Sequence, residues 1–132
     1  MNHNPTLLII DDDPDDVELF MEAVSLVSPS VKCISMQDGK EALEFLIQAT
    51  SLPNLIFLDL NMPRLNGFQC LKEIKRISRL SIIPVVIYST SKQVEDETES
   101  RKLGAIEFIT KPTHFEDICR AIKKTLRANK PF

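Results

Sequence analysis

Polar groups able to do chemistry stand where apolar runs of this chain stop. Asp11 and Asp12 follow Thr6–Ile10, and Asp59 follows Asn54–Leu58. Ser89 and Thr90 follow Pro84–Tyr88, and Lys111 follows Ile106–Thr110. If the runs are strands of one sheet, three carboxylates, a hydroxyl and an ammonium converge at its edge. Carboxylates set side by side repel unless one takes a proton or a cation lies between them. Hard oxygen donors suit Mg²⁺, which keeps several waters, uses one or two protein carboxylates and leaves room for a phosphoryl oxygen. No His or Cys falls near enough in the pattern for zinc. Beside such a cation the Asp59 carboxylate could attack phosphorus to form an aspartyl phosphate. Lys111 would place a point charge on the transferred oxygens. A hydrogen bond from Ser89 to one of them would exist only after transfer, and so could bias a conformational equilibrium.

Each residue also has a plainer reading. Acids in the run Asp11-Asp12-Asp13-Pro14-Asp15-Asp16 are favoured at a helix N-terminus by the dipole alone, and Asp13, Asp15 and Asp16 are assigned that role. Lys111, taken singly, fits an exposed loop lysine before Pro112 equally well; the combination carries the argument. His114 reads as an exposed cap-region residue and His3 as part of a fraying tail. Cys33, Cys70 and Cys119 are odd in number and widely spaced, each within an apolar-periodic segment, and read as buried free thiols.

Five short runs rich in β-branched residues give the strands: Thr6–Ile10, Val31–Met36, Asn54–Leu58, Pro84–Tyr88 and Ile106–Thr110. Between them apolar residues recur at helical steps, as in Val17, Phe20, Val24, Val27 or Phe115, Ile118, Ile122, Leu126. Asp13-Pro14 marks a helix start, as do the capping-box patterns Asp38-x-x-Glu41 and Thr113-x-x-Glu116. Gly104 marks a helix stop. The segment Lys92–Leu103 holds only Val94 and Leu103 as apolar anchors among many charges, which predicts a weakly docked helix. Strict alternation with nearly continuous apolar strands predicts a three-layer α/β sandwich: a five-stranded parallel sheet covered on both faces by five helices.

At 132 residues the chain fits one domain, 1–132 with a core at about 6–127, leaving no room for an output domain. Its formal net charge of −3 argues against a nucleic-acid surface, which needs a basic excess on one face. No apolar run approaches a membrane span of about 20 residues and the first residues lack the form of a signal peptide, which points to the cytosol.

Five ordered marks resemble the receiver domains of two-component signalling. They are Leu8-Ile9-Ile10-Asp11-Asp12-Asp13-Pro14, Leu58-Asp59-Leu60-Asn61-Met62-Pro63 with Asn66-Gly67, Ile87-Tyr88-Ser89-Thr90, Leu103-Gly104-Ala105, and Lys111-Pro112. The resemblance covers nearly the whole chain and implies the flavodoxin-like strand order 2-1-3-4-5. It further implies that Asp59 is the phosphoacceptor, Asp12 a direct Mg²⁺ ligand, Asp11 a second acid acting largely through water, and Asn61 a ligand through its backbone carbonyl. Ser89 takes the place of the family's switch hydroxyl, Phe108 that of its switch aromatic, and Lys111 that of the lysine contacting the phosphoryl group. The Lys111–Pro112 bond looks like the family's cis peptide. Asn66 stands where many relatives have Asp, and Phe108 lacks the hydroxyl of the more usual Tyr. The opening Asp-Asp-Asp-Pro and the segment Lys75–Pro84 look most like small receivers serving phytochrome-type sensor kinases.

The implied partners are a sensor histidine kinase or histidine phosphotransfer protein, and a downstream protein contacted through the Lys92–Leu126 face. Pairing of two copies through that surface stays open. The activity expected is that of a signalling phosphoprotein with self-phosphorylation and slow autodephosphorylation, not of a conventional enzyme. A phosphorylation-independent interaction module is the alternative, and it would be favoured if Asp59, Asp12 or Lys111 were replaced. A small-molecule phosphatase would need an acid two residues beyond its nucleophile, where this chain has Asn61.

Overall fold

Alternation of side chains along the strands sorts the core into two halves. In the computed structural model, which describes residues 4–132, β1 (Thr6–Ile10), β2 (Lys32–Met36), β3 (Leu55–Leu58), β4 (Val85–Ser89) and β5 (Glu107–Thr110) form one parallel sheet. Its order is β2-β1-β3-β4-β5, as the resemblance implies. Leu8, Ile10, Ile56, Leu58, Val85 and Ile87 face one way and pack with Ala42 and Leu46 of α2 (Gly39–Gln48) and Leu71 and Ile74 of α3 (Gly67–Arg76). Leu7, Ile9, Leu55, Phe57, Val86 and Tyr88 face the other. They meet Phe20, Ala23 and Val24 of α1 (Pro14–Val27) and Ile118, Ile122 and Leu126 of the last helix, Phe115–Ala128. Sheet and helices thus bury both faces, the condition for a parallel sheet.

Among the described residues there are six helices where the sequence pattern gives five. The addition is α4 (Ser78–Ser81), a single turn between α3 and β4, too short to show an apolar period. Long cationic side chains hold it. Lys75 Nζ donates to the Ser81 and Ile83 carbonyls at 3.0 and 2.8 Å. Arg79 donates to the Leu46, Ile47 and Ala49 carbonyls, satisfying acceptors at the end of α2.

Caps follow the sequence in part. Asp13 caps α1, accepting from the amides of Asp15 and Asp16, with Pro14 at the first helical position. Asp38 caps α2 by accepting from Glu41 N at 2.7 Å. The expected box at Thr113 is absent; α6 (Phe115–Ala128) starts one residue later, with the exposed His114 at its N-cap and no side-chain cap bond. A reciprocal box occurs instead at Asn66 and Gln69, opening α3.

The charged helix α5 (Val94–Lys102) lies between β4 and β5 in sequence. Its expected anchor Val94 is 73% exposed, and its buried residue is Ser100, whose hydroxyl donates to the Asp96 carbonyl at 2.7 Å. Leu103 does pack against the core, and Gly104 ends the helix at φ +109°, a conformation glycine adopts without strain. The three cysteines are free; Cys70 is buried, but Cys33 and Cys119 are half-buried. His3 falls outside the described residues. No helix among the described residues is long and apolar enough to cross a membrane.

Candidate functional site

Register brings the polar strand ends together. Ile10 is level with Leu58 across β1 and β3, and Leu58 with Ile87 across β3 and β4. The next residues continue the ladder: Asp59 N donates to the Ile10 carbonyl at 2.9 Å, and Lys111 N to the Ser89 carbonyl at 2.7 Å. Asp11, Asp59, Ser89 and Lys111 therefore share the carboxyl edge of the sheet, where open α/β folds place their sites. Asn61 lies on the exposed loop two residues past Asp59.

Asp11, Asp12 and Asp59 each offer a carboxylate oxygen, all within 4.8 Å of one another. Asp11 and Asp59 are buried, at 1% and 5% exposure, while Asp12 faces solvent. Burial, reinforced by the neighbouring Asp11 charge, pushes the Asp59 carboxyl up to about 6. Lys111 and the backbone amides of Asn61 and Leu60 pull it the other way. Burial likewise raises Asp11, against the pull of Lys111.

Lys111 Nζ stands 2.7 Å from Asp11 Oδ2, 2.8 Å from Asp16 Oδ2 and 3.9 Å from Asp59 Oδ1. Burial opposes its charge, but the carboxylates of Asp11 and Asp16 outweigh that and hold its pKa above the ordinary lysine value. Its approach to Asp11 Oδ2 lies off the direction of a hydrogen bond, so that buried oxygen keeps an open acceptor site. A buried carboxylate oxygen met by one ammonium, beside two more carboxylates, fits a hard divalent cation, which would relieve the crowding that one lysine leaves. Asp11, Asp12 and Asp59 are the side chains placed to hold it.

Two neighbours of Lys111 escape the sequence reading. Asp16, assigned there to the helix dipole, sits three residues into α1, where side chains tilt back toward the N-terminus and so reach the sheet edge. Tyr88 turns its ring toward the ammonium, 5.8 Å from its centroid, and packs edge-on with Phe20 and Phe57. Neither contact has a local sequence signal, since the partners lie 95 residues apart for Asp16 and 23 for Tyr88.

Ser89 is fully buried, its hydroxyl accepting from Ser91 N at 3.3 Å. Phe108 is half-buried against the core. The Lys111–Pro112 bond is trans; the cis X–Pro bond among the described residues is Lys130–Pro131. The two isomers of an X–Pro bond differ intrinsically by only about 0.5–1 kcal/mol, so local sequence does not select one.

A family model described as the response regulator receiver domain matches residues 7–123. The chain belongs to the response regulator receiver family. Among relatives of this receiver, Response regulator Rcp1 of Synechocystis is 32% identical over 127 residues, covering 92% of this chain and 86% of that protein. The probable methanogenesis regulatory protein FilR2 of Methanothrix harundinacea is 31% identical, covering 89% and 79%. The crystal structure of the phosphorylated cyanobacterial phytochrome response regulator RcpA superposes on this receiver with a TM-score of 0.87 at 31% identity, covering 93% of this chain and 91% of that one. The Mn²⁺-bound form of Rcp1 gives 0.82 at 31%, covering 91% and 90%.

Proposed function

We propose that this receiver is a switch that accepts a phosphoryl group on Asp59 in a Mg²⁺-dependent reaction. The observation that carries the reading is the convergence of Asp11, Asp12 and Asp59 within 4.8 Å, with Lys111 Nζ 3.9 Å from Asp59 Oδ1. The likeness to a phosphorylated phytochrome response regulator and to the Mn²⁺-bound form of response regulator Rcp1 supports it.

An Asp59 oxygen attacks phosphorus as the P–N bond of a phosphohistidine breaks; the imidazole nitrogen leaves with the electron pair and is protonated by solvent. Mg²⁺, when bound, supplies the positive charge that lets the Asp59 carboxylate and the phosphoryl oxygens approach. Asp11, Asp12, Asp59 and the Asn61 carbonyl would hold that cation. Lys111 neutralises a transferred oxygen. Ser89 donates its hydroxyl to another while its oxygen accepts from Ser91 N, which couples the start of the β4–α5 connection to the site. Phe108, packed short of full burial, repacks in response.

The donor is a sensor histidine kinase or a histidine phosphotransfer protein. The altered surface is the Lys92–Leu126 face, where Val94 and Ile106 are exposed and α5 lacks a buried apolar stripe. The receiver takes the phosphoryl group onto its own aspartate and loses it by autodephosphorylation, so it works as a signalling protein and not as a conventional enzyme; its expected place is the cytoplasm.

A small phosphodonor such as phosphoramidate, supplied with Mg²⁺ and followed by intact mass, tests the reading. Wild type gains one phosphoryl group and Asp59→Asn none. A wild type inert to several donors indicates instead an interaction module independent of phosphorylation.

A further inference from the structure

The phosphoacceptor scheme gives Asp16 no task, yet Asp16 Oδ2 accepts the hydrogen bond of the Lys111 ammonium at 2.8 Å. The other carboxylates near that ammonium are Asp11 at 2.7 Å and Asp59 at 3.9 Å. Both belong to the trio whose oxygens crowd within 4.8 Å of one another. A divalent cation on that trio and the lysine are like charges drawn to the same oxygens. Were these its only acceptors, the ammonium would have to be displaced for the cation to bind. At 8% side-chain exposure it would then be a buried charge with no partner, a strongly unfavourable state.

Asp16 removes that conflict. It lies on α1, outside the trio, and is held by the first turn of a helix whose cap and proline are both formed. Its carboxylate is one-third exposed. The Tyr88 ring bounds Lys111 on a further side, 5.8 Å from the ammonium, so the lysine is confined between α1 and β4.

We propose that Asp16 is a positioning residue: it retains the Lys111 ammonium when a divalent cation takes Asp11 and Asp59. It thereby raises the affinity of the trio for the cation and keeps the lysine within reach of a phosphoryl group on Asp59. The inference rests on the reading that the trio binds a divalent cation. Asp16 acts through Lys111 and not through its own charge at the metal.

Calorimetric titration of Mg²⁺, and separately Mn²⁺, into the full chain tests this on wild type, Asp12→Asn, Asp16→Asn, Asp16→Glu, Lys111→Met and the Asp16→Asn/Lys111→Met double variant. Asp16→Asn weakens Mg²⁺ binding by about tenfold, the size of a coupling between groups in contact, because the ammonium is no longer held off Asp11 and Asp59. Asp16→Glu restores most of the affinity. Lys111→Met, lacking the competing cation, binds Mg²⁺ at least as tightly as wild type, and adding Asp16→Asn to it has no further effect. Unchanged affinity in Asp16→Asn overturns the proposal, and so does an equal loss in the Lys111→Met background, which would mark a direct field effect. If wild type shows no saturable binding that Asp12→Asn abolishes, the metal reading fails and the inference falls with it. Urea unfolding of each variant, compared with its affinity, separates lost binding from lost fold.

Discussion

Gly67 is pressed against Asp59: a Cβ at Gly67 would stand 2.3 Å from the Asp59 carbonyl oxygen and 2.5 Å from Leu60 Cα. Its own amide donates to the Leu60 carbonyl at 2.9 Å. The close approach lets α3 begin directly under the loop that carries the acceptor carboxylate, so the loop is clamped by backbone, with no flexible side chain to give way. Gly67→Ala should therefore destabilise the receiver by about 2 kcal/mol or more, as overpacking does. Because the displaced backbone is that of Asp59, phosphoryl uptake should slow even where the variant stays folded. Urea unfolding and intact-mass time courses measure the two effects; a change under about 0.5 kcal/mol would mean that the loop yields freely.

Without divalent cation, stability should fall as pH rises between about 4 and about 6. The Asp59 carboxyl, ordinarily at 3.8, is raised to about 6 in the fold, so in that window the folded chain holds a proton that the unfolded chain has released. Asp11 is shifted in the same direction. The raised Lys111 contributes stability that is lost only at alkaline pH, and leaves this window unaffected. Mg²⁺ favours the ionised carboxylates, so its stabilising effect should be larger at pH 8 than at pH 5. Urea midpoints in chelator and in Mg²⁺ across this range check both statements, and Asp59→Asn should flatten most of the slope.

The capping box at Asn66 and Gln69 sits just past the acceptor loop, with bonds of 3.0 and 2.9 Å. Asn66→Ala should cost about 1 kcal/mol, whereas Asn66→Asp should be neutral or slightly stabilising, since both side chains cap well and the helix dipole favours the acid. Thermal or urea denaturation decides. A neutral alanine would show that the box contributes nothing at this helix.

Amides of α5 should exchange with solvent sooner than those of α1 or α6. The helix buries Ser100 rather than an apolar stripe, and its Arg101–Glu97 ion pair is exposed on both partners, a contact worth little in water. Hydrogen exchange followed peptide by peptide gives the order directly. Protection of Val94–Lys102 equal to that of Pro14–Val27 would contradict it.

Much of this was legible in the chain because a parallel sheet imposes local rules. A strand buried on both faces has to be apolar along its length, so the first polar residue after it marks the edge where chemistry can occur; Asp11, Asp59, Ser89 and Lys111 were visible for that reason. Asp13-Pro14 and Gly104 were visible because capping and positive φ demand particular residues within one turn. Local patterns misled where a solution was tertiary. Val94 fits a helical apolar position but faces solvent, while Ser100 is buried by returning its hydroxyl to the backbone.

The sequence by itself determined the strands, their alternation with helices, and the acids, hydroxyl and lysine that end them, since each depends on residues within a few positions. Only the tertiary structure decided which carboxylates Lys111 meets. That choice depends on the packing of α1, whose first turn brings Asp16 to a lysine 95 residues away. The short helix held by Arg79 and Lys75 and the trans Lys111–Pro112 bond belong to the same class. Long cationic side chains find their acceptors in space, and a proline isomer with an intrinsic preference of about 1 kcal/mol or less is set by what packs around it.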